Sequence, residues 1–444
     1  MGVRKFGELP EDITHPFRAL RHRNYRLFFG GQAVSLIGTW MARVATSWLV
    51  YRLTGSAWWL GVLGFAWQIP TFLLSPLGGV LVDRWNKHRL LVVTQALLTL
   101  LSVAMAVLAL SGRITVGQIL ALSIAQGIIN ALEIPARQAF VIEMVEDRDA
   151  LPNAIALNSS IFNGARLIGP SIAGLLIASV GEGWCFLLDA ASYAPVLAAL
   201  LAMTLPPPRT APSPQPVWRE LAEGLVYVYR FTPIRVILTS IALASLVGMS
   251  YTVLVPVFAR EILGGGAQTF GFLMGASGLG AFAGAVTLAF RKTVVGLGKV
   301  IALAAGCAGL ALVGFALSRI FWLSWCLMLL IGYGFILQMA SSNTVLQTLV
   351  EDDKRGRVMS FYAMAFMGVA PFGALLAGWL ASRIGAPQTL MIGGATCVVG
   401  AAAFARELPR LRQIVRPIYV RKGIIPEVAA GVQAAVQPSV ASKG

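Results

Sequence analysis

Apolar residues fill runs of about 20 or more positions twelve times along this chain, each broken by a short polar stretch. In the first half the runs fall at 26–51, 58–82, 89–111, 116–141, 154–180 and 184–205. In the second half they fall at 235–259, 268–290, 299–318, 321–348, 359–382 and 387–405. Only helices and closed barrels satisfy every backbone group in hydrocarbon, and these runs are too long and too apolar for barrel strands. The pattern therefore predicts an all-α membrane protein of twelve transmembrane helices.

A long-period repeat divides them. Gly164, Gly169, Gly174 and Gly181 return at one constant offset as Gly368, Gly373, Gly378 and Gly385. Ser35-Leu36-Ile37-Gly38 is echoed by Ser245-Leu246-Val247-Gly248, and Gly61 by Gly271. Such a repeat predicts two pseudo-symmetric six-helix bundles, with a binding site between parallel halves near mid-membrane. The expected division is a tail at 1–25, bundles at 26–205 and 235–405, a linker at 206–234 and a second tail at 406–444. The linker opens on Pro206, Pro207 and Pro208, which cannot continue a helix, and Trp218–Tyr229 has the spacing of a surface-lying amphipathic segment.

Composition agrees with the pattern. Hydrophobic residues make up 57% and charged residues 12% of the chain, with mean hydropathy +0.75, whereas a soluble domain carries about 25% charged residues. The net charge of +16 at first suggests nucleic acid. Its distribution argues otherwise. Basic residues crowd the ends and alternate loops (Arg18 to Arg26, Arg84 to Arg89, Arg209 to Arg235, Lys354 to Arg357, Arg406 to Lys422). The intervening short loops hold single residues such as Arg52, Arg113 and Arg319. The positive-inside rule then sets both termini in the cytoplasm and leaves the lipid bilayer, not nucleic acid, as the partner. The N-terminus lacks a signal-peptide core, and Cys185, Cys307, Cys326 and Cys397 lie in apolar runs without metal-ligand spacing.

Two motifs carry a resemblance. The loop after the second run contains Gly79, Asp83, Arg84, Asn86, Lys87 and Arg89. Gly79 permits close helix approach, Asp83 suits a basic partner or a helix cap, and Asn86 tolerates a left-handed turn. The fifth run carries Gly164-Ala-Arg166-Leu-Ile-Gly169-Pro170-Ser-Ile-Ala-Gly174, glycines every fifth residue with a helix-bending proline. Both resemble signatures of the major facilitator superfamily, the first a conformational loop and the second an antiporter-type bundle interface. Phe17 to Arg26, Ser35 to Trp40, Pro135-Ala-Arg137-Gln138 and Arg355-Gly356-Arg357-Val358 resemble its enterobactin-exporter-like branch, which carries out multidrug and siderophore efflux. The resemblance implies secondary-active efflux of a small amphipathic solute across a bacterial inner membrane by a functional monomer, coupled to protons. Ser123 stands where many drug–proton antiporters of the superfamily carry an Arg before a Gln-Gly pair, here Gln126-Gly127.

Charges inside the bilayer are costly, about 2.5–3.5 kcal/mol each on insertion scales, and so mark function or pairing. The spans enclose Arg43, Glu133, Arg137, Arg166 and Asp189, all in the first half. Glu133 and Arg137, one helical turn apart, either neutralise each other or form a proton-coupling site. Arg43 lies on a helix that lines the cavity in the superfamily and is a candidate for an anionic or catecholate-like group. Arg166 reads as bundle-interface support, and Asp189 as half of an interhelix pair. Trp40, Trp48, Trp67, Gln68 and Asn130 are further cavity candidates, as are Gln338 and Asn343 in a polar run that includes Ser341, Ser342 and Gln347. No phosphate-binding GxxxxGK[ST] loop and no catalytic constellation is present in the sequence, so neither a cofactor nor an enzyme activity is expected. A lipid flippase and a non-transporting membrane sensor remain alternatives at this stage.

Overall fold

The fold is taken from a computed structural model, which describes residues 17–145, 147–203, 227–229, 231–291 and 293–422. Twelve helices among them are long and apolar enough to span a bilayer. In the first half these are α1 (Arg23–Thr54), α2 (Ala57–Arg84), α3 (Lys87–Leu110), α4 (Val116–Met144), α5 (Leu151–Val180) and α6 (Glu182–Leu201). The second half gives α7 (Thr232–Ile262), α8 (Ala267–Ala289), α9 (Leu297–Leu317), α10 (Phe321–Leu349), α11 (Lys354–Ile384) and α12 (Ala386–Arg421). The last helix runs past the expected limit at 405, because Arg406–Arg421 stays helical and only then meets undescribed chain. Most of the linker, including its prolines and Trp218, lies outside the described residues, as does the tail beyond 422.

The two halves pack alike. In the first bundle α2 lies on α4 while α3 lies on α4 and α6; in the second α8 lies on α10 while α9 lies on α10 and α12. Between bundles α5 pairs with α8 and, symmetrically, α11 with α2. The helices differ in their bends. α5 carries buried Pro170 within a continuous α-helix, whereas α11 contains a π-helical turn at Met364–Gly368 before Pro371. α7 holds two more π turns, at Ala244–Gly248 and Phe258–Ile262. Such turns leave the regular hydrogen-bond ladder and are frequent at functional sites.

With an even number of spans, the start of α1, the end of α6, the start of α7 and the end of the membrane-spanning part of α12 share one face, called the terminal face below; the other is the distal face. Three buried apolar clusters report how the bundles meet. One runs through both bundles toward the distal face, from Trp48 and Leu60 to Phe258, Phe270 and Phe315. The other two lie toward the terminal face and are separate: Tyr25, Phe28, Phe140 and Met144 in the first bundle, Ile234, Leu346 and Phe404 in the second. The bundles are thus fused distally and part terminally.

Glycine makes the fusion close. A Cβ built on Gly271 would lie 2.7 Å from the Gly174 Cα, and one on Gly378 would lie 2.7 Å from the Gly61 Cα. Small residues allow this backbone approach in membranes. The distal rim adds the Tyr51 hydroxyl, which donates to Glu261 across the bundles, and Trp48 stacked on Phe270 at 6.1 Å.

Candidate functional site

The loop motif acts through capping and tethering. Asn86 has φ −67°, an extended conformation and not the left-handed one expected, and its side chain accepts from the Arg89 backbone N–H at 3.0 Å to cap α3. Lys87 reaches Glu143 at the end of α4 at 2.7 Å, and Arg18 pairs with Asp147 beyond it. The Asp147 carboxyl is held below its usual range, first by the Asp149 backbone N–H and then by Arg18. The Lys354 ammonium beside Glu351 similarly lowers that carboxyl at the start of α11. The side chains of Gly79 and Asp83 fall outside the described residues.

The interface motif of α5 divides its labour. From Arg166 onward it meets the other bundle: Gly174 faces α8 at Gln268 and Gly271, the Pro170 carbonyl faces Gly271, and Leu167 lies against Gly278. Gly169 packs within its own bundle, where a Cβ would lie 2.6 Å from the Trp40 Cβ. A Cβ on Gly164 would meet nothing within 4 Å, so Gly164 takes no part in the interface. Arg166 presents its backbone carbonyl to Gly278 of α8 but sends its guanidinium toward Trp40, with Cζ 5.8 Å from the ring centroid.

That indole is shared. The Arg43 Cζ lies 4.5 Å from the Trp40 ring and 3.9 Å from the Trp67 ring, so α1 and α2 clasp one guanidinium between two aromatic faces. A cation over an indole is stabilised by about 0.5–2 kcal/mol, more when water is excluded. Among the described residues neither Arg43 nor Arg166 has a carboxylate within ion-pair distance. Two positive charges therefore sit around Trp40 at the depth where α5 meets α8, an arrangement suited to an anionic or π-rich group.

The other cavity candidates fare differently. Trp48 is buried in the seam between bundles and does not line an open space. Gln68 is half-buried and donates to its own helix at the Gly64 carbonyl, 3.0 Å away; Asn130 is half-buried on α4. On α10 the polar run turns inward: Gln338, Ser341 and Ser342 are fully buried, with Gln338 donating to the Ser240 hydroxyl of α7 at 3.2 Å. A polar side chain that faces a neighbouring helix avoids lipid as well as one that faces a cavity. Asn343, hydrogen-bonded by Gln347, stays partly open, and Gln347 is exposed.

Glu133 and Arg137 do form the expected pair on α4, with Nε 3.5 Å from Oε1. Gln95 of α3, which the sequence reading passed over, donates to the same Glu133 oxygen at 3.3 Å. Asp189 contradicts its expected interhelix ion pair: its partner is the Ser102 hydroxyl, which donates at 2.6 Å from α3. Gln95 and Ser102 stand two turns apart on one face of α3, a helical period visible in the sequence but indistinguishable there from neutral packing. Among the described residues no group of three or more His, Cys, Asp or Glu converges, and all four cysteines are free. Cys185 and Cys397 are buried, whereas Cys307 and Cys326 are exposed.

Known proteins place this architecture. Residues 14–417 match the family described as transmembrane secretion effectors. The staphyloferrin A transporter of Staphylococcus aureus is 28% identical over 84% of this chain and 93% of its own length. The multidrug efflux pump Tap of Mycolicibacterium fortuitum is 24% identical, covering 85% of this chain and 93% of Tap. The enterobactin exporter EntS of Shigella flexneri is 27% identical, over 82% and 86%. Among solved structures, a bacterial homologue of the human lysosomal transporter Spinster in an inward-facing, unoccupied conformation superposes with TM-score 0.65 at 14% identity, covering 90% of this chain and 97% of that one. The nucleoside transporter NupG gives TM-score 0.65 at 15% identity, over 88% and 99%. The fold is that of major facilitator transporters, and with a family match spanning nearly the whole chain, this protein belongs to the transmembrane secretion effectors of that superfamily, a multi-pass membrane transporter and not an enzyme.

Proposed function

We propose that this protein exports a small amphipathic solute, of siderophore or drug type, by alternating access driven by proton entry. The observation that carries the reading is the division of the apolar core: one cluster joins the bundles distally, and two separate clusters lie terminally. Rocking about the glycine seams α5–α8 and α2–α11 converts that arrangement into its mirror state. The positive-inside distribution supports a cytoplasmic terminal face, and on that orientation the cleft opens to the donor compartment of an exporter. Arg43, with Trp40 and Trp67, receives the anionic or aromatic part of the solute. Relatives named as siderophore and drug transporters support this choice of class.

Glu133 and Arg137 form the proposed coupling site. A carboxylate near a single guanidinium changes partners when protonated, and α4 carries that change to its packing on α2 and α3. In proteoliposomes tested with staphyloferrin A and enterobactin, a pH gradient should drive accumulation by the wild type. Glu133→Gln should reduce it at least about tenfold, a change of about 1.4 kcal/mol or more, while solute exchange without a gradient persists. Unchanged gradient-driven accumulation in the variant removes Glu133 from coupling, and wild-type protein that moves neither compound contradicts the siderophore reading.

A further inference from the structure

One buried acid of the first bundle has no cationic partner among the described residues. Asp189 of α6 is 1% exposed, and its Oδ2 accepts the Ser102 hydroxyl proton at 2.6 Å. Among the described residues its Oδ1 has no hydrogen-bond partner. α1 offers Gly38, whose missing side chain leaves room for the carboxyl: a Cβ there would lie 3.0 Å from Oδ1. Of the arginines on α1, Arg23 and Arg26 stand at its terminal end, Arg52 at its distal end, and Arg43 is engaged by Trp40 and Trp67, while Arg166 of α5 points to the Trp40 indole. α3 contributes Ser102 and Gln95, neither charged, while its Lys87 is at the terminal end with Glu143. On α6 itself Glu182 is taken by Arg52 at the distal end. Toward the terminal face Tyr193, one turn along α6, lies within electrostatic reach of Asp189, Glu133 and Arg137 together, and its hydroxyl approaches that of Thr39 at 3.5 Å.

Glu133 thus has Arg137 as its ionic partner, whereas Asp189 has only the neutral Ser102 hydroxyl, and Tyr193 stands within electrostatic reach of both acids on a buried polar line through α3, α4 and α6. Leaving an ionised carboxylate unpaired in such a place costs several kcal/mol or more, whereas a bound proton removes the charge. We propose that Asp189 is a proton-binding site of the first bundle, coupled to Glu133 across Tyr193. Proton binding forms one O–H bond on the carboxyl and cancels its charge; release breaks that bond and returns a hydrated proton. The role of this site in the transport cycle rests on the proton-driven reading above, but its occupancy by a proton does not.

Infrared difference spectroscopy of the full chain in phosphatidylethanolamine–phosphatidylglycerol vesicles tests it without any transported solute. Between about pH 5 and about pH 9, a range above ordinary carboxyl titration at about pH 4 and reached by a carboxyl whose charged form burial disfavours, the wild type should show a carboxylic-acid C=O band that titrates. Asp189→Asn should delete the band. Ser102→Ala, which keeps the acid but removes its donor, should move the band to higher wavenumber. Glu133→Gln should lower the band's titration midpoint, because one competing negative charge is gone. A band that survives Asp189→Asn overturns the assignment. So does a band insensitive to both pH and Glu133→Gln, which is the signature of a permanently neutral acid serving only Ser102. Should Asp189 titrate while wild-type flux ignores a pH gradient, the proton-antiport reading falls and the proton site stands.

Discussion

Replacing Gly271 with leucine should cut transport at least about tenfold and open the distal face. An added Cβ at this position would meet the Gly174 Cα at 2.7 Å and the Gly174 backbone nitrogen at 2.9 Å, with the Pro170 carbonyl closer still. These are main-chain atoms of α5, so no side chain can swing aside. Overpacking of this kind costs about 1–3 kcal/mol. Here the cost falls on one conformation only, because the seam exists only while the bundles are joined distally. At about 1.4 kcal/mol per tenfold change in population, the equilibrium moves to the distally open state. Gly378→Leu should do the same through the symmetric seam, where the Gly61 Cα lies 2.7 Å from the built Cβ. Gly117→Leu is the control, since a Cβ there meets nothing within 4 Å. Flux in proteoliposomes and spin-label distances across the distal face read both effects; wild-type behaviour of Gly271→Leu would show that the seam is not the moving contact.

Arg43→Gln should weaken binding of anionic solutes at least about tenfold and leave neutral ones within about twofold. The glutamine keeps most of the side-chain length but removes the charge that Trp40 and Trp67 hold between them. What remains is Arg166 alone, farther from the indole at 5.8 Å. A tenfold loss corresponds to about 1.4 kcal/mol, within the range of one charge-assisted contact. Arg43→Lys should recover only part of the affinity, because a compact ammonium cannot stack flat between two rings. Tryptophan fluorescence provides the readout, since two indoles flank the charge, with helicity checked by circular dichroism. Equal loss for neutral and anionic solutes would recast Arg43 as a packing residue.

What the sequence made legible was set by period and solvent. Twelve spans follow from run length, and the Glu133–Arg137 pair follows from a spacing that one helix enforces by itself. Contacts between helices far apart in sequence were hidden. Trp48 reads as a cavity residue until Phe270 of the other bundle is found stacked on it. Gln338, Ser341 and Ser342 look like a cavity stripe, yet all three are fully buried, with Gln338 against Ser240 of α7, and hydropathy cannot distinguish a cavity from a helix contact. Repetition was also read too evenly. Gly164 belongs to the glycine series by spacing, but of the α5 glycines Gly174 is the one that touches the second bundle, since Gly169 turns toward Trp40 of α1 and nothing lies within 4 Å of a Cβ on Gly164. The shared grip of Arg43 and Arg166 on Trp40 needed the rotation of α1 against α5, which no local pattern encodes.

The central claim is that the bundles rock as two bodies about their distal seams. Spin labels at Ile155 and Ser360 on the terminal face, and at Arg113 and Arg319 on the distal face, measure both ends of that motion in bilayers. Between alkaline and acidic buffer the account predicts opposite changes: as the terminal pair approaches, the distal pair separates. Distances that stay fixed at both ends, or lengthen and shorten together, would contradict alternating access in this protein.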